Sequence, residues 1–212
     1  MYEQAISDAD VAESDLVTRR GRFRAVAFRS HGHEHMALTY GKIRMRENVL
    51  IRIHSECMTG DIFGAMRCEC GEQLNAALDT IVREGSGILI YLRGHEGRGI
   101  GLVEKVRTHI LQDEQGMDTL DSATSLGLPI DIRDYAPAGV VLRHLRVQSV
   151  RLLSNNPDKF KALEDQGIRV AGRVPLLIPP NDHNINYLTA KRDRLGHDLP
   201  QVEVFLPQAV DQ

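Results

Sequence analysis

No part of this 212-residue sequence holds the roughly 18 consecutive apolar positions that a membrane-crossing helix needs, and runs such as Gly87–Leu92 stop far short of it. The chain therefore reads as soluble, with no membrane partner. A basic excess is missing too: 26 Lys and Arg stand against 29 Asp and Glu, a formal net charge of −3. Without a global positive field no nucleic-acid partner is expected, and any phosphate must be gripped locally by particular Arg and Lys side chains and backbone amides. Residues 1–20 are acidic and lack the basic start and apolar stretch of a secretory signal, which points to the cytoplasm. Cysteine is scarce, and an odd count of three excludes a complete set of internal disulfides. There is no internal repeat, low-complexity tract or linker.

What the chain does contain suits a folded core: 42% of its residues are hydrophobic and 26% charged. Residues 1–20 show little apolar periodicity and read as a flexible leader, although a strand beginning near Leu16 is compatible with them. Apolar and polar residues roughly alternate over Arg22–Phe28 and His35–Tyr40, and Asn48–His54 is a third strand-like run, so the N-terminal third is β-rich. Helical spacing follows over Glu72–Glu84, ended by Gly85, and then a strand at Gly87–Leu92. Helical patterns recur over Leu102–Gln112 and Thr119–Leu126. A strand at Ser149–Leu153 leads into a helix capped by Asn155, Asn156 and Pro157 and ended by Gly167. Short strands are expected at Ile168–Val170 and Val174–Ile178, and a polar helix or turn set over residues 183–196. This order predicts one α/β domain over residues 21–198, a mixed sheet with flanking helices, and a tail over 199–212.

Cys57, Cys68 and Cys70 lie within one short segment. Three thiolates in a reducing compartment suit zinc, and three protein ligands leave the fourth position for water, the catalytic arrangement. Three unrelated buried thiols, or a structural site completed by His54 or another histidine, are the competing readings. The loop Arg93–Gly101, rich in glycine and flanked by Arg93 and Arg98, sits between a strand and a helix, where open amides hold an anion. Ser154, Asn155, Asn156 and Lys159 form a second such junction, which also reads as a well-capped helix start. Asp131 and Arg133 lie two apart and, if extended, project to one side; an ordinary surface ion pair has the same pattern. His31, His33 and His35 read as an exposed strand and turn without function.

Taken together, the segments IRIHSECMTGDIFGAMRCECG, YLRGHEGRGIGL, LQDEQGMDT, GLPIDIRDY and RLLSNNPDKF closely resemble GTP cyclohydrolase II, the zinc enzyme family that opens the guanine ring at the start of riboflavin synthesis. The resemblance runs from about Gly32 to Gly196, in the family's order. It implies one Zn²⁺ per chain on Cys57, Cys68 and Cys70, Mg²⁺ with the GTP phosphates, release of formate and pyrophosphate, and a homodimer. The product implied is 2,5-diamino-6-hydroxy-4-(5-phosphoribosylamino)pyrimidine. Asp131 matches the family's proposed general base. Arg133 matches an arginine proposed as nucleophile on the α-phosphate, although a permanently protonated guanidinium is suited to clamping phosphate charge. GTP contacts carry over to Arg52, Ile53, His54, Ser55, Glu56, Gln73, Glu96, Gly97, Arg98, Thr119, Ser154 and Lys159. One departure stands out. After Lys105–Arg107 the family usually has Ala-Tyr, with the tyrosine implicated in catalysis, and this chain has Thr108-His109. His109 is thus a candidate for changing the product, so that a homologue stopping at the formylated pyrimidine nucleotide, or serving a specialised pathway, is a second reading. A zinc-stabilised nucleotide-binding protein without turnover is a third.

Overall fold

The computed structural model describes residues 6–205. Strands β1 (Val11–Thr18), β2 (Gly21–Ser30), β3 (His33–Tyr40) and β4 (Val49–Ser55) come first. Helices α1 (Met58–Asp61) and α2 (Cys70–Glu84), strand β5 (Gly87–Leu92), and helices α3 (Leu102–Gln115), α4 (Thr119–Ser125) and α5 (Ala136–His144) follow. Strand β6 (Val150–Leu153), helix α6 (Pro157–Asp165), strand β7 (Val170–Val174), and helices α7 (Ile185–Leu195) and α8 (Gln201–Phe205) complete the order. All seven strands share one mixed sheet, ordered β1-β2-β3-β5-β4-β6-β7. The β5-β4-β6-β7 half is parallel and the β1-β2-β3-β5 half antiparallel.

Helices cover both faces of the parallel half, which explains why β4 and β5 read as unbroken apolar runs. Alternation along each strand splits the core in two. Ile51, Ile53, Ile88 and Ile90 face α5 and α6 through Ala138, Val141, Leu142 and Leu163. Leu50 and Leu89 face α2 through Ala77 and Ile81, with Phe23, Leu153 and Leu176. α7 and α8 add a small cluster of their own around Leu188, Leu199 and Val202.

Three expectations need correction, and one helix, α5, had no expected counterpart. Residues 11–18 of the expected leader form β1, in register with β2 from Val11–Phe28 to Thr18–Gly21. Their side chains are mostly exposed, so no apolar period marks the strand; backbone pairing and the Arg22–Asp15 and Arg24–Glu13 ion pairs hold it to its neighbour. In the expected tail, Val202 of α8 is fully buried. The two short strands near residues 168–178 are one strand, β7, after which the Asn155 amide takes the place of a pairing strand: Leu176 N–H donates to its Oδ1 at 3.0 Å and its Nδ2 donates to Leu176 O at 2.7 Å. Helix α5 carries Pro137 and Gly139 in an almost wholly buried segment, so its sequence lacks amphipathic spacing. The parts of the expected leader and tail at residues 1–5 and 206–212 lie outside the described residues.

Candidate active site

The carboxyl ends of parallel strands β5, β4 and β6 open into a cleft, the position where open α/β sheets place ligands. At one end the loop after β4 delivers Cys57, and the start of α2 delivers Cys68 and Cys70. One sulfur from each lies within 4.8 Å of the others, and Cys57 Sγ stands 3.8 Å from Cys68 Sγ. A tetrahedral zinc with Zn–S bonds of ~2.3 Å would space its sulfurs about 3.8 Å apart, so the donor set and its spacing fit that metal. Glycine makes the convergence possible: a Cβ on Gly60 would stand 2.8 Å from Cys68 Sγ and 3.3 Å from Cys57 Sγ.

Most charges around the cysteines are partnered. Lys105 Nζ lies 3.2 Å from Cys57 Sγ and donates to Thr59 Oγ1 at 2.7 Å and to Glu96 Oε1 at 2.5 Å. Burial alone would lower the Lys105 pKa, but Glu96 and the Cys57 sulfur outweigh it and hold it above its ordinary value. The other Glu96 oxygen accepts from Met58 N–H at 2.6 Å, so this carboxylate braces the cysteine loop. Asp61 does the same from below, accepting from Cys57 N–H at 3.0 Å, Tyr91 OH at 2.7 Å and His54 Nε2 at 2.9 Å. His54 lines the cleft but is 1% exposed and committed to Asp61. Cys68 and Cys70, with Lys105, favour the Cys57 thiolate, while the same pairing pushes the Cys68 thiol up to about 11.

Elsewhere the cleft wall collects cations. Arg52, Arg98 and Lys159 have no carboxylate within 4.0 Å among the described residues. Lys159 is 5% exposed, donates to Ile53 O at 2.9 Å and lies 5.5 Å over the Tyr135 ring. Burial, then Arg52, Arg133 and Lys191, push its pKa well below the ordinary value. Arg52 donates to Leu153 O and to Gln73 Oε1. In the glycine loop Gly97 and Arg98 both adopt left-handed backbone, φ 59° and 61°, turning Arg98 toward Thr119 at 3.4 Å. Ser154 Oγ accepts from Asn156 N–H at 3.1 Å at the start of α6. Such a group of cations, hydroxyls and helix-start amides is a polyphosphate cradle in chemical terms.

Arg133 lines the cleft, and Asp131 does not; the pair is bidentate, with Nε 2.9 Å from Oδ1. Burial works against ionisation of Asp131, but Arg133 prevails and lowers its pKa. Glu56 accepts from Gly94 N–H at 2.8 Å and Ser55 Oγ lies 3.1 Å from His95 Nδ1, so both brace the glycine loop. Ile53 is 0% exposed in the core and absent from the cleft wall. His109 does line the cleft, one turn along α3 from Lys105, and burial, Lys105 and Arg67 lower its pKa. His35, expected to be exposed, is 3% exposed, its Nδ1 accepting from Arg93 N–H at 3.2 Å.

Sequence reasoning passed over Lys105, Asp61, Glu69, Tyr135 and the α7 residues Tyr187 and Lys191, together with His197 just beyond. Lys105 and Asp61 sit within quoted motifs and carried a signal, whereas α7 looked like any polar helix. No described helix is long and apolar enough to cross a membrane.

Fold and site define an α/β protein with a cluster of three cysteines that could hold a metal ion, facing a cleft lined by several cations. The chain belongs to a family of that class: the model of GTP cyclohydrolase II matches residues 9–175. The GTP cyclohydrolase-2 of Streptomyces coelicolor is 53% identical over 198 residues, covering 92% of this chain and 89% of that protein. The riboflavin biosynthesis proteins RibBA of Salinispora arenicola and Mycobacterium ulcerans are 52% and 50% identical, each alignment covering 92% of this chain and 47% of the relative. The chain thus spans about half the length of the RibBA relatives.

Proposed function

We propose that the chain catalyses the hydrolytic opening of the imidazole ring of GTP, releasing formate and pyrophosphate and giving 2,5-diamino-6-hydroxy-4-(5-phosphoribosylamino)pyrimidine for riboflavin synthesis. The observation that carries this is the pairing of a three-sulfur centre with a cleft in which Arg52, Arg98 and Lys159 have no carboxylate partner among the described residues. Cys57, Cys68 and Cys70 would hold Zn²⁺, which when bound supplies the Lewis acidity that activates water near neutral pH. Glu96, Lys105 and Asp61 hold the cysteine loop in place. Lys159, Arg98, Thr119 and Ser154 bind the phosphates together with Mg²⁺. Arg133 clamps the phosphate charge that grows as pyrophosphate leaves, and Asp131 holds the guanidinium in position. Mass spectrometry of the products formed from GTP with zinc and Mg²⁺ present tests the proposal; unchanged GTP would sink it.

A second reading, release of the formylated nucleotide, draws on His109, which lines the cleft at the position where the family resemblance implies a tyrosine. The same mass spectrum separates the two, and His109→Tyr should move the product toward the deformylated form. A homodimer is supported by exposed Ile62, Phe63, Val103, Val106 and Ile110, on two segments joined by the Arg67–Asp113 ion pair. Sedimentation of the chain checks it. The cytoplasm is the proposed compartment, consistent with three free thiols.

A further inference from the structure

The base itself needs a recognition group, and resting on the reading above, the cleft contains one candidate that no motif marked. Guanine presents two adjacent donors, N1–H and the 2-amino group, and a donor edge calls for an acceptor, most strongly a buried carboxylate. Most carboxylates around the cleft are already committed. Glu96 spends both oxygens on Lys105 and Met58 N–H, and Asp131 spends both on Arg133. Glu56 holds Gly94 N–H. Glu69 differs: it is 1% exposed, lines the cleft, receives Lys191 Nζ on Oε1 at 3.2 Å, and leaves Oε2 buried with no hydrogen-bond partner among the described residues. An unpaired buried carboxylate oxygen is costly unless a ligand completes it. Its place between Cys68 and Cys70 puts it beside the centre where the ring would open.

Lys191 comes from α7, residues 185–195, beyond the 9–175 stretch matched by the family model. That helix is pinned from two sides. Leu188 packs with Leu199 and Val202, and Arg194 reaches Asp118 at 2.5 Å and Asp121 at 2.8 Å on α4. The Lys191 ammonium is further seated 4.4 Å over the Tyr187 ring. Its side chain is 12% exposed, so it acts as a fixed post and not as a swinging surface lysine.

We propose that Glu69 selects guanine by accepting the donor edge of the base on its free oxygen, and that Lys191 is the positioning residue that fixes the other oxygen. Nucleotides lacking those donors are then rejected because Oε2 stays buried and unpaired: inosine triphosphate, without the 2-amino group, in part, and ATP, without N1–H as well, more strongly.

The test measures kcat and KM for GTP and inosine triphosphate, and competition by ATP, with zinc content followed in each protein. Wild type should prefer GTP over inosine triphosphate by at least about tenfold. Glu69→Gln should raise KM for GTP and narrow that preference about tenfold or more, with zinc retained. Lys191→Met should narrow it less, and Lys191→Arg should restore it. Wild type that uses both nucleotides equally overturns the proposal without any variant, and so does a Glu69→Gln enzyme in which both substrates suffer alike. If Glu69→Gln does not fold, the wild-type ratio and the Lys191 pair decide. Normal GTP turnover with an unmoved preference removes Glu69 alone, whereas absence of GTP turnover in wild type removes the functional reading beneath it.

Discussion

Two regions of the cleft solve opposite electrostatic problems. Around the cysteines most charges are paired within the protein: Lys105 meets Glu96 and the Cys57 sulfur, and Asp61 meets His54, Tyr91 and a backbone amide, Glu69 keeping one oxygen free. Around Lys159 burial, and then the neighbouring cations Arg52, Arg133 and Lys191, push the lysine pKa well below its ordinary value. Near the cysteines charge is thus mostly balanced within the protein, whereas Arg52, Arg98 and Lys159 have no carboxylate within 4.0 Å among the described residues. The difference suits the proposed roles: missing counter-charge favours a polyphosphate, and converging, braced ligands favour a cation.

Breaking the metal end should have the largest effect. Cys57→Ser, Cys68→Ser and Cys70→Ser should each lose bound zinc and lower turnover at least about a thousandfold, since a hard hydroxyl replaces a thiolate ligand. Metal analysis of the folded variants checks this, and stoichiometric zinc in any of them would refute the site. Gly60→Ala should mimic part of that loss, because its new Cβ would stand 2.8 Å from Cys68 Sγ.

At the other end, Arg133→Ala should cut pyrophosphate release about a hundredfold or more with zinc unchanged. Asp131→Asn should follow it less severely, since the amide still touches the guanidinium. A near-normal pyrophosphate rate in the alanine variant would free Arg133 from the mechanism.

The contrast itself is tested by two matched truncations. Lys105→Met leaves the Glu96 carboxylate, 9% exposed, without its cation, and should cost about 3 kcal/mol of stability in urea titration. Lys159→Met orphans no carboxylate and removes a crowded cation, so it should cost less than about 1 kcal/mol while raising KM for GTP. Equal losses in the two variants would erase the distinction.

The smallest effect is a pH slope. Burial and Arg133 bring His95 down to about 4, and burial with Lys191 and Lys159 brings His197 down to about 3, from an ordinary 6.5. Above pH 6.5 both are neutral in folded and unfolded chain alike, and their neutrality costs nothing. As the pH falls from 6.5 toward 4, the unfolded chain binds protons that the folded chain refuses, so stability drops. The urea midpoint should therefore fall between pH 7 and pH 5, and pyrophosphate should flatten the slope by offsetting the cations. A midpoint independent of pH would count against this.

Much of the fold was legible because its signals are local. Gly85 ends α2 in left-handed backbone, φ 80°, and Asn156 caps α6 with its side chain on Asp158 N–H. β1 was not, because an exposed edge strand is held by pairing with β2 and leaves no apolar period. The same division runs through the site. The cysteine spacing suggested a cluster of sulfurs, which the structure brings within 4.8 Å of one another, and the glycine loop suggested a turn, which lines the cleft. The direction of His109 on α3, the capture of His54 by Asp61 and the exclusion of Ile53 from the cleft depend on what packs against each.

Sequence by itself determined the three clustered cysteines, the order of most strands and helices but not of α1 and α5, and the resemblance to one family, since these rest on residue type and short spacing. Only the tertiary structure decided which charges are paired and which stand alone. Lys159 and Ile53 are 106 positions apart and Lys191 and Glu69 122, yet each pair is in contact. Coulombic and desolvation energies depend on distance in space, and no local pattern encodes them.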